Sequence, residues 1–177
     1  EWAAQQAEMF GDIAADHGSR GFEWTADAEE RARLWKARHS IYFAGRALHP
    51  GNDGMSTDVC VPISRLAEAL LTARRDIDES HIPGYLVGHV GDGNFHAGLS
   101  LRPAHPEDRE EALRLAGKWN ALAVSLGGTI TGEHGVGQGK RRYMRAEHGE
   151  AWSVMADLKR TLDPKNILNP GKVVQIG

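Results

Sequence analysis

Residues 84–101 read GYLVGHVGDGNFHAGLSL, and few folds accommodate them. Two runs of strand-forming residues, GYLVGHV and FHAGLSL, flank the turn-formers Gly91-Asp92-Gly93-Asn94, the pattern of a β-hairpin. Before the hairpin, STDVCVP reads as a strand. SRLAEALLTARRDI then carries Leu66, Leu70, Ala73 and Ile77 at helical spacing, with Ser64 as its cap. After it, EDREEALRLAGKWNALAVSLGG places Ala112, Leu115, Trp119, Leu122 and Leu126 on one helix face and stops at Gly127-Gly128, and GTITG reads as a short strand. The order over about 56–131 is β-α-β-β-α-β. The expected fold class is therefore α+β, with a ferredoxin-like antiparallel sheet.

Further helices are expected at 1–17, with Ala3, Ala7, Phe10 and Ala14 on one face, and from Asp27, with Glu30 in the capping-box position. Another, over about 148–162, stops at Asp163-Pro164, and the tail NILNPGKVVQIG follows. At 177 residues and 41% hydrophobic, the chain can bury a core of its own and reads as one domain. A net charge of −3 gives no overall basic footprint, which argues against nucleic acid as a partner. The single cysteine, Cys60 in DVCVP, reads as a strand residue rather than a nucleophile. No apolar run approaches the ~20 residues of a membrane span, so a cytoplasmic or peripherally membrane-associated protein is expected. The chain opens at Glu1 as if already inside a helix, the look of a piece of a longer protein.

Nine histidines are present, and His17, His49, His105 and His148 sit in no pattern. His89 and His96 differ. Fully extended, they would stand roughly 23 Å apart; the turn brings them together. Neutral imidazoles are frequent ligands of transition metals, although two packed structural histidines would give the same spacing. A second stretch, GGTITGEHGVGQGKRRYM, sets Glu133 and His134 among six glycines, where backbone must approach something closely or take positive φ. It is not a P-loop: His134 stands where the first glycine belongs and Arg141 where Ser or Thr should be. The dinucleotide pattern fails at His96, and no H-E-x-x-H helix exists. What remains is His89, His96 and Glu133, three ligands that leave a cation an open position. Zinc and manganese both suit them, and so does a ferrous oxygenase. His134, beside a ligand and not needed as one, is free to move protons.

GHVGDGNFH, TGEHGVGQGKR and LDPKNILNPGK together resemble the C-terminal substrate-binding region of FAD-linked oxidases of the vanillyl-alcohol-oxidase type. Within that family they are similar to the branch of D-lactate dehydrogenases, glycolate oxidases and D-2-hydroxyglutarate dehydrogenases. The similarity runs from RLWKARHS through STDVCVPISRL to the end. It implies that His89, His96 and Glu133 bind a divalent metal (Zn or Mn) and that His134 is the catalytic acid/base. Arg38 would grip the substrate carboxylate through its planar fork, and Asn94 would lie at the substrate. Glu133, His134, Asn169 and Lys172 would face FAD, with Asn169 and Lys172 in a tail that folds back towards the flavin domain.

The resemblance further implies a small 2-hydroxy acid as substrate, FAD held mainly by an N-terminal domain preceding Glu1, and an electron acceptor (cytochrome, quinone or electron-transfer flavoprotein). Residues 1–177 would be the C-terminal substrate- and metal-binding domain, unable to retain FAD or turn over alone. Relatives acting on D-2-hydroxyglutarate carry a lysine two residues before the aspartate matching Asp58. Here that place is Ser56, which points to a monocarboxylate, D-lactate ahead of glycolate. The rival from another class is a non-catalytic metal- or ligand-binding ferredoxin-like module, which would not need Arg38, His134 and the tail together.

Overall fold

The computed structural model describes residues 2–176, and the chain divides into two compact units, Glu1–Ala44 and Gly45–Gly177. The first holds α1 (Trp2–Asp16) and α2 (Ala28–His39). The more covered stripe of α1 runs through Ala4, Ala7, Gly11 and Ala14, with the Phe22 ring across Gly11, whereas Ala3 and Phe10 are exposed. Asp27 caps α2 as expected, accepting from the N–H groups of Glu29 and Glu30. The capping box is not completed: Glu30 pairs with Arg33, and the Asp27 N–H goes to Thr25 Oγ1. A short helix α3 (Ile41–Ala47) follows.

The second unit is α+β. Its central strand is β4 (Asn94–Leu101), paired antiparallel on one edge with β3 (Gly84–His89), so that His89 faces Asn94 and Val87 faces His96. Along the other edge run β1 (Asp53–Ser56) and β2 (Val59–Cys60) in one shared register: Ser56 lies opposite Gly98 and Val59 opposite Phe95. STDVCVP is therefore not one strand but a strand edge interrupted at Thr57–Asp58. The side-chain period of two sends Phe95, Ala97, Leu99 and Leu101 into the core, and leaves Asn94, His96, Gly98 and Ser100 on the opposite face.

That core is closed by α4 (Leu66–Asp78) and α5 (Pro106–Ser125), which contribute Leu66, Ala73 and Ile77, and Ala112, Leu115 and Trp119. Leu70, Leu122 and Leu126 pack half-buried against it. Ser64 does not cap α4. The chain enters through a single 3₁₀ turn over Ile63–Arg65, and no side chain bonds the first N–H groups. Two short helices follow, α6 (Met144–His148) and α7 (Ala151–Leu162), the latter ending at Asp163 as expected.

The ferredoxin-like sheet is not completed. GTITG supplies only the isolated bridge of Thr129 with Cys60, on the edge away from β4. The donors that would extend it are taken by side chains: Ile130 N–H by the Glu147 carboxylate at 2.9 Å, and Thr131 N–H by Thr129 Oγ1 at 3.3 Å. Gly128 makes the bridge sterically possible, since a Cβ there would lie 2.1 Å from Cys60 O. Gly128→Ala should lower stability by about 1–3 kcal/mol through overpacking. Gly91→Ala, where an added Cβ meets nothing within 4 Å, should stay near wild type. Urea denaturation of the two variants checks this, and equal midpoints would contradict the packing argument.

Candidate metal centre

The interruption at Thr57–Asp58 creates the site. Thr57 N–H still donates to Ala97 O at 2.9 Å, but Ala97 N–H bonds the Thr57 hydroxyl instead of its carbonyl. That carbonyl turns to His96 Nδ1, 3.1 Å away. A carbonyl only accepts, so Nδ1 carries the proton and Nε2 presents a lone pair. Nε2 is buried and has no hydrogen-bond partner. Glu133 Oε1 stands 3.0 Å from it, without hydrogen-bonding geometry, and 3.6 Å from His89 Nε2. Two acceptor atoms facing at that distance repel unless a positive charge lies between them.

The ligand atoms of His89, His96 and Glu133 all fall within 4.8 Å of one another. Around an ion bound at roughly 2.1 Å, neighbouring ligands stand about 3.0–3.4 Å apart. The three donors, the orphaned His96 Nε2 among them, fit a divalent cation. A second set, Asp58, His96 and His134, also lies within 4.8 Å. It is the poorer candidate, because Asp58 is already saturated and His96 Nδ1 is engaged with Thr57.

Asp58 is 1% exposed and organises the whole centre. Its carboxylate accepts from Asn94 Nδ2 (2.8 Å), Thr131 Oγ1 (2.8 Å), Glu133 N–H (3.1 Å) and His134 N–H (2.9 Å). Burial alone would raise its pKa. The donors, led by His134 N–H, Asn94 and Thr131, outweigh burial and hold the group well below the usual carboxylate range. One buried anion thus joins the strand edge to the loop that carries Glu133 and His134.

Lys140 adds a second tie. Its Nζ donates to Asp58 O and to Ile130 O, both at 2.6 Å, and lies 3.6 Å from Asp58 Oδ2. Burial lowers its pKa, partly countered by the Asp58 charge. Gly132 is held to glycine by the Asn94–Asp58 pair, since a Cβ would sit 2.0 Å from Asn94 Nδ2 and 3.0 Å from Asp58 Oδ1.

His134 lies at the edge of this set. Its ring stacks on His96 with centroids 4.7 Å apart and planes 10° apart, and its Nε2 is 3.7 Å from Glu133 Oε1. Side-chain exposure rises from 13% at His96 to 46% at His134 and 54% at Glu133, so the centre has a closed floor and an open rim. His89 meets His96 edge to face, not stacked. Cys60 is half-buried with Sγ 3.2 Å from Asp92 O; burial and the charges of Asp58 and Asp92 raise its pKa and disfavour the thiolate.

The remaining expected residues are distributed differently. Asn94 is buried, and both its amide hydrogens are engaged, with Asp58 Oδ1 and with Val59 O at 2.9 Å. Its structural task is to hold Asp58, and only Oδ1 is left without a partner. Arg38 belongs to α2 in the first unit, its guanidinium 5.1 Å above the Trp35 ring. Asn169 and Lys172 close a turn through NPGK, Lys172 N–H donating to Asn169 O. That turn is tied back to the glycine loop: Val173 N–H bonds Gly137 O at 2.8 Å, and Arg141 bonds Gly171 O. At Gly135, Gly137 and Gly139 an added Cβ would meet nothing within 4 Å, so this side of the loop is open.

The family described as "FAD linked oxidases, C-terminal domain" matches residues 1–173. The chain belongs to this family. A probable mitochondrial D-lactate dehydrogenase of Danio rerio is 43% identical over 173 residues, 97% of this chain and 35% of that protein. The mitochondrial D-lactate dehydrogenase [cytochrome] of Arabidopsis thaliana is 40% identical, over 98% of this chain and 31% of that protein. Glycolate oxidase subunit GlcD of Bacillus subtilis is 38% identical over 84% of this chain and 32% of its own length. The chain thus spans about a third of the length of these relatives. No helix among the described residues is long and apolar enough to cross a membrane.

Asp58 and Lys140 are contributors that sequence reasoning passed over. An acidic residue inside the strand-like run DVCVP was the available signal for the first. Because the Asp58 pKa is depressed in the fold, its stabilisation is complete above the unfolded value of about 3.9 and is lost as pH falls below it. The stability gap between wild type and Asp58→Asn should therefore be constant from pH 7 to about 5 and shrink on acidification towards pH 3. Denaturation midpoints measured across that range test this, and a gap that stays constant would contradict the assignment.

Proposed function

We propose that the chain is the C-terminal substrate- and metal-binding domain of a flavin-dependent D-2-hydroxy acid dehydrogenase that oxidises D-lactate, or a similar short acid such as glycolate, to the 2-oxo acid. The observation that carries the reading is the buried, unpartnered His96 Nε2 facing Glu133 and neighbouring His89, with a further imidazole stacked beside it. Relatives named D-lactate dehydrogenase and glycolate oxidase support the reaction class.

His89, His96 and Glu133 would hold the divalent cation, Zn or Mn, which when bound acidifies a substrate hydroxyl, while FAD, held mainly by an N-terminal domain, supplies the hydride acceptor. The chain's own residues do the rest. His134 Nε2 takes the hydroxyl proton as Cα is oxidised, a general-base role that its open position at the rim allows. Arg38 pairs with the substrate carboxylate through its fork and so fixes which face of Cα is presented. Asn94 Oδ1 is the one amide atom left to meet a ligand. Glu133 and His134, with Asn169 and Lys172 in the turn tied to the glycine loop, line the flavin side.

Ser56 continues the strand edge two residues before Asp58, and its hydroxyl lies 3.3 Å from Thr57 O. A neutral side chain there gives no partner to a second substrate carboxylate, which favours monocarboxylates. Electrons leave to an acceptor that is a cytochrome, a quinone or an electron-transfer flavoprotein.

In the flavin-loaded protein, His134→Ala should lower kcat for D-lactate about 100-fold or more while the bound metal stays stoichiometric. His96→Ala and Glu133→Gln should lose the metal and the activity together. Dye-coupled turnover with parallel metal analysis measures both quantities. Unchanged turnover in His134→Ala, or full metal content in Glu133→Gln, would overturn these roles.

A further inference from the structure

Three arginines of the second unit share one cleft, which sets them apart from the others. Arg65, Arg74, Arg102, Arg114 and Arg160 each lie within 2.8 Å of a carboxylate a few residues away. Arg141, Arg142 and Arg145, in the run GKRRYMR, form no ion pair among the described residues, yet all three line one open cleft of about 490 Å³. The cleft is also lined by Gln138, Gln175 and Trp152, and no acidic residue takes part. Glu147, the acid nearest in sequence, is turned to the Ile130 N–H.

Two of these guanidiniums are held in place. Arg142 lies 4.7 Å over the Tyr143 ring, and Arg145 lies 3.9 Å over the Trp152 ring. An aromatic contact covers the flat face of a guanidinium and leaves its N–H groups, which lie in the plane, for an acceptor. Arg141 is fixed by its bond to Gly171 O in the tail. Three oriented forks with no internal counter-charge make a receptor for a multiply charged oxyanion. The volume is that of a small-molecule site and far exceeds one inorganic ion.

We infer that this cleft binds a phosphate- or pyrophosphate-bearing small molecule, with Arg142 and Arg145 as its principal contacts and the Gln138 and Gln175 amides available to the rest of the ligand. The shared chemistry has two sources, the pyrophosphate of a flavin dinucleotide or a separate phosphorylated metabolite. The inference does not rest on the hydroxy-acid reading, since its readout is binding and not turnover.

Calorimetric titration of the flavin-free protein with pyrophosphate and with ADP should show one saturable site that weakens as salt rises. Arg142→Ala and Arg145→Ala should each weaken binding about tenfold or more. Arg109→Ala, which removes an exposed arginine without an ion pair on α5, should leave it unchanged, and thermal melts confirm that each variant is folded. Repeating the titration on the FAD-loaded full-length parent separates the sources: lost pyrophosphate binding assigns the cleft to the dinucleotide, and retained binding assigns it to a separate ligand. No saturable binding at millimolar pyrophosphate or ADP, or an equal loss in Arg109→Ala, overturns the inference.

Discussion

A single buried carboxylate holds the candidate centre together. Asp58 stands where the strand edge of β1 and β2 is interrupted, and it gathers donors from β4 through Asn94, from Thr131, and from the backbone of Glu133 and His134. An uncompensated charge at that depth would be strongly unfavourable; hydrogen-bonded donors are what make it tolerable. The same bonds fix the path of a glycine-rich loop that has no regular secondary structure until Arg141. Asp58 bonds the backbone of residues 75 and 76 positions further along, and the Thr129–Cys60 bridge and Lys140 reinforce the tie that brings them to the hairpin histidines.

The geometry around it follows from small departures from regular structure. One ladder bond is transferred from a carbonyl to the Thr57 hydroxyl, and the released carbonyl sets the tautomer of His96. Close backbone approaches at Gly128 and Gly132 admit no side chain, and Lys140 ties the two crossing segments through their carbonyls. The result is a floor of fixed polarity beneath an exposed rim, the arrangement expected of a site that binds a cation deeply and exchanges protons and ligands at its edge.

Much of this was legible in the sequence, for identifiable reasons. The hairpin, α4, α5 and α7 were set by strong local signals: a Gly-rich turn, apolar residues at helical spacing, and an Asp-Pro stop. The convergence of His89 with His96 followed from the turn alone. The break at Thr57–Asp58, the single bridge at Thr129 and the 3₁₀ entry to α4 were not legible, because each depends on side chains distant in sequence competing for backbone hydrogen bonds. Asn94 shows the same limit: the resemblance placed it at the substrate, and only the fold revealed that Asp58 and Val59 take both of its donors. Lys140 had no signal of its own, since a lysine that bonds two carbonyls has no sequence signature.

The central claim is that Asp58 draws Glu133 to the hairpin imidazoles so that all three side chains share one cation. Crystals of the protein grown with manganese or zinc, with data collected at the metal absorption edge, address it most directly. An anomalous peak bounded by His89 Nε2, His96 Nε2 and Glu133 Oε1, with His134 close by but unligated, is the expected result. A peak elsewhere, or a manganese- and zinc-loaded crystal with no peak between those atoms, would contradict the account.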